Sequence, residues 1–347
     1  MTEKKRRVSP EILNRMIDGY TTVTARSALA AFIRMGQLYD DYPGTPDRTT
    51  TDFWKPIIDQ AAAEVMAFEL SRLPFYTRKV GSEGAKERLE TGQAAPSVNG
   101  VYGDSFNPHM IGVSDVVEGT TPASQRKPGA SSIIAVVSED ENGQGIRPTP
   151  SGVDYLIKFI GPEQANGIVN LDRPHKNNLQ NLIERLGIRP DQLTQVTLNP
   201  SKHGRECNQE FVDVALELGV TVKLLNVGDF IPGVLAASSD PNNYVIVVGR
   251  GGYEEGTMAA VAARALGGFM QAKEYKPSAS VQDGKVLTLD DLVMAEPEEA
   301  LVSASFITED DMWFHRPGIR KHEGGKYTVT TMVVTHQGIE FKDLILQ

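Results

Sequence analysis

A single cysteine, Cys207, stands in a chain of 347 residues. One thiol cannot close an internal disulfide or build a cysteine-based zinc site, so a reducing, cytoplasmic setting is expected. Long apolar runs are also missing. No segment approaches the roughly 18–20 apolar residues that span a bilayer, and the basic start MTEKKRRVSP lacks the apolar stretch of a signal peptide. Basic charge is in deficit: 35 Lys and Arg stand against 45 Asp and Glu, a net charge of −10. That balance argues against non-specific nucleic-acid binding, which needs a basic surface to release phosphate counterions. It leaves room for a small anionic substrate, because local cations or a bound metal reverse the field in one cleft. The chain has no P-loop GxxxxGK[ST], no GxGxxG and no nucleophile elbow GxSxG. A nucleotide-dependent enzyme and a Ser-His-Asp hydrolase therefore find no support in motifs. No internal repeat or long low-complexity segment is visible.

What is present is ordinary for a folded chain, with 40% hydrophobic and 23% charged residues. VTARSALAAFIRMG (23–36) has helical spacing and a stop at Gly36. QLYDDYPGTPDRTTTD (37–52) reads as a loop, and helical periodicity returns over 56–73, with the Thr run and Pro56 at the helix entrance. Short β-branched runs at 110–117 and 129–140 predict strands. From about residue 160 helices and strands alternate: KNNLQNLIERLGI, QVTLNPS, CNQEFVDVALELG, VTVKLLNVGD, IPGVLAASS, NYVIVVGRGG and GTMAAVAARALGGFMQA. That alternation is the signature of a layered α/β core. LVSASFIT and YTVTTMVVTHQGIEF close the chain as strands. The expected division is into two α/β halves, 1–158 and 159–347, with a cleft between them.

Four separated places set carboxylates beside small residues at element ends: Asp52, Glu83 in GSEGAKE, the pair Asp115 and Glu118 in GVSDVVEGTTPAS, and Glu254-Glu255 in GRGGYEEGT. Oxygen ligands from dispersed segments are what Mg²⁺ or Mn²⁺ takes, and neighbouring glycines let backbone groups approach an ion or phosphate. Each acid taken alone is more often a surface charge, and GVSDVVEGTTPAS taken alone more often a surface turn. LNPSKHGRE (198–206) places Lys202, His203 and Arg205 after a strand, as a phosphate contact or a solvated loop.

These motifs together resemble the class II fructose-1,6-bisphosphatases, of the lithium-sensitive, metal-dependent sugar and inositol phosphatase superfamily. SDVVEGTTPAS resembles that family's DPxEGT segment, GSEGAKE its GEGEID turn, LNPSKH its KPRH loop and NVGD its DGD turn. VVGRGGYEEGTMAAVAARALGG resembles its GIGGAPEGVxxAAxxRALGG signature. The similarity runs through almost the whole chain. It implies an αβαβα sandwich of the inositol monophosphatase and sugar phosphatase type, acting on a sugar phosphate or bisphosphate in carbohydrate metabolism, as in gluconeogenesis.

The resemblance also implies roles. Asp52, Glu83, Asp115, Glu118 and Glu255 would hold two or more Mg²⁺ or Mn²⁺ ions. Thr120 would aim the attacking water, with Glu87 and Asp115 completing the catalytic set. Glu118, Gly119 and Thr120 would meet the scissile phosphate, while Tyr155, Lys158, Lys202, His203, Asp229 and Gly252 would bind the sugar and its distal phosphate. Family resemblance and apolar tail strands suggest a homo-oligomer, dimer or tetramer. No nucleic acid or membrane partner is expected. The chain departs from the family's pattern at Val116, Ala85, Glu87, Phe53, Trp54, Lys202 and Val227. These departures keep open a dedicated phosphatase for another sugar phosphate, or a catalytically weak sugar-phosphate-binding protein.

Overall fold

The computed structural model describes residues 8–42, 44, 46–82, 100–104, 108–202, 204–238, 244–275 and 284–347. They form two compact units, Met1–Gly145 with Ala295–Gln347, and Ile146–Met294.

The first unit opens with two long helices. In α1 (Pro10–Asp41), the Ser9 hydroxyl accepts from the Ile12 N–H, and Pro10 fills the first helical position, where no donor is needed. The helix runs straight through Gly36, the expected stop. Leu38 beyond it is buried, and that burial outweighs the roughly 1 kcal/mol that an interior glycine costs. α2 (Arg48–Ser71) starts at Asp47, whose carboxylate accepts from the Thr50 N–H. The expected loop over 37–52 therefore shrinks, and Pro56 lies inside a helix rather than at its entrance. Lacking an N–H, Pro56 cannot bond the Asp52 carbonyl four residues back.

Both helices cover a mixed sheet built from β1 (Tyr76–Ser82), β2 (Gly100–Tyr102), β3 (His109–Glu118), β4 (Ser131–Ser138), β11 (Ala300–Phe306), β12 (Arg320–Lys321), β13 (Tyr327–Thr335) and β14 (Gly338–Leu346). The strand order is β12-β13-β11-β4-β3-β1-β2, with β14 paired to β13. Only β1 and β3 among these pairs run parallel. Small hydroxyl side chains carry α1 close to the sheet. Thr24 Oγ1 lies 2.7 Å from Ser303 Oγ, Ser305 Oγ donates to Thr24 at 2.9 Å, and Ser132 Oγ donates to Ser27 at 3.0 Å. Around them pack Met16, Tyr20, Trp54, Ile58, Met66, Ile134 and Val333.

The division at 158/159 expected from the sequence is corrected here. β11 pairs with β4 over Ala300↔Val137 to Phe306↔Ser131, so the C-terminal strands complete the first sheet. Sheet pairing of this separation leaves no local sequence signal.

The second unit carries the sheet β10-β9-β5-β8-β6-β7, from β5 (Tyr155–Gly161), β6 (Leu193–Leu198), β7 (Thr221–Leu225), β8 (Tyr244–Gly252), β9 (Phe269–Tyr275) and β10 (Val286–Thr288). Strand β6 runs parallel to both β7 and β8. Helices α4 (His175–Leu186) and α5 (Asn208–Glu217) supply Leu179, Leu182, Phe211 and Ala215 to one apolar cluster with Ile157, Phe159, Ile246 and Val248. Helices α6 (Phe230–Ala237) and α7 (Tyr253–Leu266) pack together elsewhere in this unit, where a Cβ on Gly233 would stand 3.3 Å from both Ala259 and Ile160. The helix expected over 256–272 ends earlier, because Gly267 takes the left-handed conformation at φ 70 and β9 follows. The layered α/β class read from the sequence is the observed one.

Candidate active site

Residues 112–118 enter β3 as a regular strand and leave it at a bulge. Asp115 faces Ile133 and Glu118 faces Ser131, so three steps on β3 match two on β4. On an unbroken strand, side chains three apart point to opposite faces. The bulge absorbs one residue and turns Asp115 and Glu118 toward the same side. Both are buried, and the Val117 N–H donates to Asp115 Oδ1 at 3.0 Å, which holds the turn.

Gly119 follows at φ 80, ψ 42, where a Cβ would lie 2.5 Å from the Gly129 carbonyl oxygen. Only glycine fits that turn. It delivers Thr120, the first residue of the short helix α3 (Thr120–Ser124), against α2. The Thr120 hydroxyl faces two acceptors, the Val117 carbonyl at 2.9 Å and Asp59 Oδ1 at 3.2 Å.

The acid beside Thr120 is thus Asp59. Glu87 and Glu83, expected for the hydroxyl and for metal, lie outside the described residues, as does His203. Asp52 stands two helical turns before Asp59 on α2. Its side chain is 55% exposed and pairs with Lys55 at 2.9 Å and Arg48 at 3.9 Å. The hydrogen bond and charge of Lys55 hold its carboxyl below the usual range. The structure brings together Asp115, Glu118, Gly119 and Thr120, and adds Asp59. Asp52 is an exposed ion-pair partner. Asp59 was missed because it is one acid in the helical pattern IIDQAAAEVM, although its place between buried Ile58 and Ala62 was a usable signal.

Lys79 was also missed. It sits on β1 opposite Gly112, two residues before Ser114 on β3, is buried, and its ammonium donates to the Ser114 hydroxyl. Burial pushes its pKa down to about 7, and the nearby Asp115 charge works against that shift.

In the second unit, Lys158 and Asp229 are partners of each other. Their side chains are 1% and 4% exposed and meet at 2.8 Å. A Cβ on Gly251 would lie 2.6 Å from Asp229 Oδ2 and 2.7 Å from Lys158 Nζ, so the glycine makes room for the pair. Tyr155 opens β5 and lies with its ring under the Arg250 guanidinium, 3.7 Å from centroid to Cζ. Lys202 is exposed, on a turn where its N–H donates to the Asn199 carbonyl at 3.1 Å. Gly252 caps α7, and the Glu255 carboxylate folds back over it so closely that a Cβ there would stand 1.8 Å from Oε2. Glu254 accepts from Thr149 at 3.4 Å.

Asp115 and Glu118 are buried carboxylates at one strand end, with the Lys79 ammonium close to Asp115. Asp115, Glu118 and Asp59 offer only oxygen, the donor type that Mg²⁺ and Mn²⁺ prefer. Among the described residues no three His, Cys, Asp or Glu side chains converge tightly enough to enclose an ion by themselves. No helix among the described residues is long and apolar enough to cross a membrane.

A layered α/β chain with a threonine hydroxyl held by a carboxylate, beside two buried acids at a strand end, has the frame of a phosphoric monoester hydrolase. Comparison with known proteins gives the family. The family described as bacterial fructose-1,6-bisphosphatase, glpX-encoded, matches residues 53–342, and the chain belongs to that family. It is 27% identical over 317 residues to the D-fructose 1,6-bisphosphatase class 2/sedoheptulose 1,7-bisphosphatase of Synechococcus sp. (strain JA-3-3Ab), covering 83% of this chain and 87% of that one. It is 26% identical over 298 residues to the fructose-1,6-bisphosphatase 2 class 2 of Escherichia coli (strain K12), covering 80% and 86%.

Proposed function

We propose that the chain hydrolyses a phosphate monoester of a sugar bisphosphate, of the fructose 1,6-bisphosphate or sedoheptulose 1,7-bisphosphate type, with Mg²⁺ or Mn²⁺. The observation that carries this reading is the Thr120 hydroxyl between the Val117 carbonyl and Asp59, at the bulge that presents Asp115 and Glu118. Asp59 takes the part that the family resemblance implies for Glu87, which lies outside the described residues, and Asp115 and Glu118 would be metal ligands. Glu255, Glu83 and Asp52 remain further candidates from the family pattern, Asp52 only if its ion pairs with Lys55 and Arg48 give way.

The chemistry follows from charge. A phosphate monoester dianion repels an oxygen nucleophile until its charge is offset. Divalent ions at such a site clamp phosphate oxygens and lower the pKa of bound water. With its own proton directed to Asp59 or Val117, Thr120 Oγ1 presents a lone pair to an incoming water. That contact orients the water, and as the water oxygen bonds to phosphorus, Thr120 Oγ1 takes a proton from it and passes its own along the hydrogen bond to the Asp59 carboxylate. The phosphorus–oxygen bond to the sugar breaks, and the sugar alkoxide takes up a proton from solvent. The single thiol supports a cytoplasmic setting. Exposed Ile345 on β14 supports self-association, which sedimentation velocity reads directly.

The test is phosphate release from a panel of sugar mono- and bisphosphates with Mg²⁺ and with Mn²⁺. Asp59→Asn and Thr120→Ala are each expected to lower kcat by ~10²–10⁴, the range for a lost general-base or charge-stabilising group. Asp52→Asn is expected to have a far smaller effect. Near-normal turnover in Asp59→Asn would sink the role given to Asp59. Absence of turnover on the whole panel would sink the phosphatase reading.

A further inference from the structure

Along β8, Ile246, Val248 and Arg250 alternate onto the face covered by α4 and α5. Position 250 therefore continues an apolar row, and the motif GIGG that this segment resembles has isoleucine there. An arginine at the end of such a row needs a reason. Its side chain is only 6% exposed. The guanidinium carbon lies over the Tyr155 ring, 3.7 Å from its centroid, with the Tyr275 ring centroid at 5.0 Å. Its Nε is buried with no hydrogen-bond partner among the described residues. Two tyrosine faces offset part of the charge, but they supply no hydrogen-bond acceptor in the guanidinium plane, which is where arginine donates. A buried arginine with its fork unclaimed by any described carboxylate is poised for an anion from outside.

The topology around it independently marks a ligand crevice. Strand β6 continues through α5 to β7 on one side, while β8 flanks β6 on the other. Such a switch point opens a crevice at the carboxyl ends of the parallel strands. β6 and β8 pair only as far as Val196↔Val247. Past that point Asn208 holds them apart, accepting from the Arg250 N–H at 2.6 Å and donating to the Leu198 carbonyl at 2.9 Å. Gly204, on the turn after β6, comes so near that a Cβ would stand 3.2 Å from Arg250 Nη1. Lys202 lies on the same turn.

We propose that Arg250, seated on Tyr155 and flanked by the Gly204 turn, is an anion-binding, specificity-determining residue that takes the second phosphoryl group of a sugar bisphosphate. It supplies from β8 the planar fork that the turn lacks, since Lys202 stands where the related loop motif has arginine. The anion site stands on the geometry alone. Its assignment to the substrate rests on the phosphatase reading.

The experiment separates the two. Thermal melting of the wild type, Arg250→Met and Arg250→Lys is followed at rising inorganic phosphate, in EDTA and with no sulfate. The wild type is expected to gain melting temperature with phosphate. Arg250→Met is expected to melt at least as high as the wild type without phosphate, because a buried charge has been replaced by a side chain of similar bulk, and to lose the phosphate shift. Arg250→Lys is expected to keep part of it, and carries the test should Arg250→Met not fold. A shift that is unchanged in the variants overturns the anion site. So does a wild type that does not respond to phosphate while Arg250→Met melts well below it, the mark of a packing strut. With Mg²⁺, Arg250→Met is expected to raise KM for fructose 1,6-bisphosphate more than tenfold and to change kcat far less. An unchanged KM beside a lost phosphate shift overturns the assignment to substrate. A wild type inactive on every sugar phosphate refutes the phosphatase reading while leaving the phosphate shift to be judged separately.

Discussion

Replacing Lys158 by methionine tests whether the buried pair with Asp229 is a support or a substrate contact. The two side chains meet at 2.8 Å and are 1% and 4% exposed. At an effective dielectric constant of ~20, the attraction at that distance is about 6 kcal/mol, and desolvation of the two ions offsets most of it. The intact pair is thus close to neutral, but removing one member leaves the other buried without its counter-charge. Lys158→Met is expected to cost about 3–5 kcal/mol, and Asp229→Leu a similar amount. Those losses are large against the ~5–15 kcal/mol that holds a typical domain folded. The double variant Lys158→Met with Asp229→Leu is expected to recover most of that loss, since two apolar groups of similar volume need no partner. Urea denaturation of the four proteins gives the coupling directly. Single variants costing under about 1 kcal/mol, with additive effects in the double, would refute a closed buried pair and return both residues to the list of substrate contacts.

Two further outcomes follow from burial and backbone geometry. His175 is buried, with its Nε2 2.8 Å from Gln195 Oε1, and burial lowers its pKa from 6.5 to about 4. The unfolded chain therefore binds a proton there between those values and the native state does not. His175 stabilisation is full above pH 6.5 and falls away as the pH drops toward 4, by up to about 3 kcal/mol. His175→Phe should flatten that part of a pH–stability curve, and an unchanged slope would count against the buried neutral imidazole. Gly119→Ala forces a left-handed Ala and sets a Cβ 2.5 Å from the Gly129 carbonyl. The conformation alone costs roughly 1–2 kcal/mol, and the displaced turn should lower turnover with it. A variant as stable and as active as the wild type would show that the Thr120 turn tolerates other geometries.

Much of this site is legible in the chain itself. GVSDVVEGTTPAS, GRGGYEEGT and the alternating second half announce a layered α/β phosphatase of a known family, because local periodicity and short motifs are written in consecutive residues. What the sequence could not assign is which distant groups meet. The resemblance pairs Thr120 with Glu87, and nothing in the local pattern of α2 ties Thr120 to Asp59, which its hydroxyl reaches at 3.2 Å. Spacing alone would send Asp115 and Glu118 to opposite faces, and only the register with β4 shows the bulge that turns them together. Lys158 and Asp229, 71 positions apart, carry no local sign in the sequence that they meet as one buried ion pair. The last strands read as the end of a second half and instead complete the first sheet. Composition, element type and family were determined by the sequence by itself. Pairing across long separations belongs to the tertiary structure, because burial and hydrogen bonding choose partners only after the elements pack.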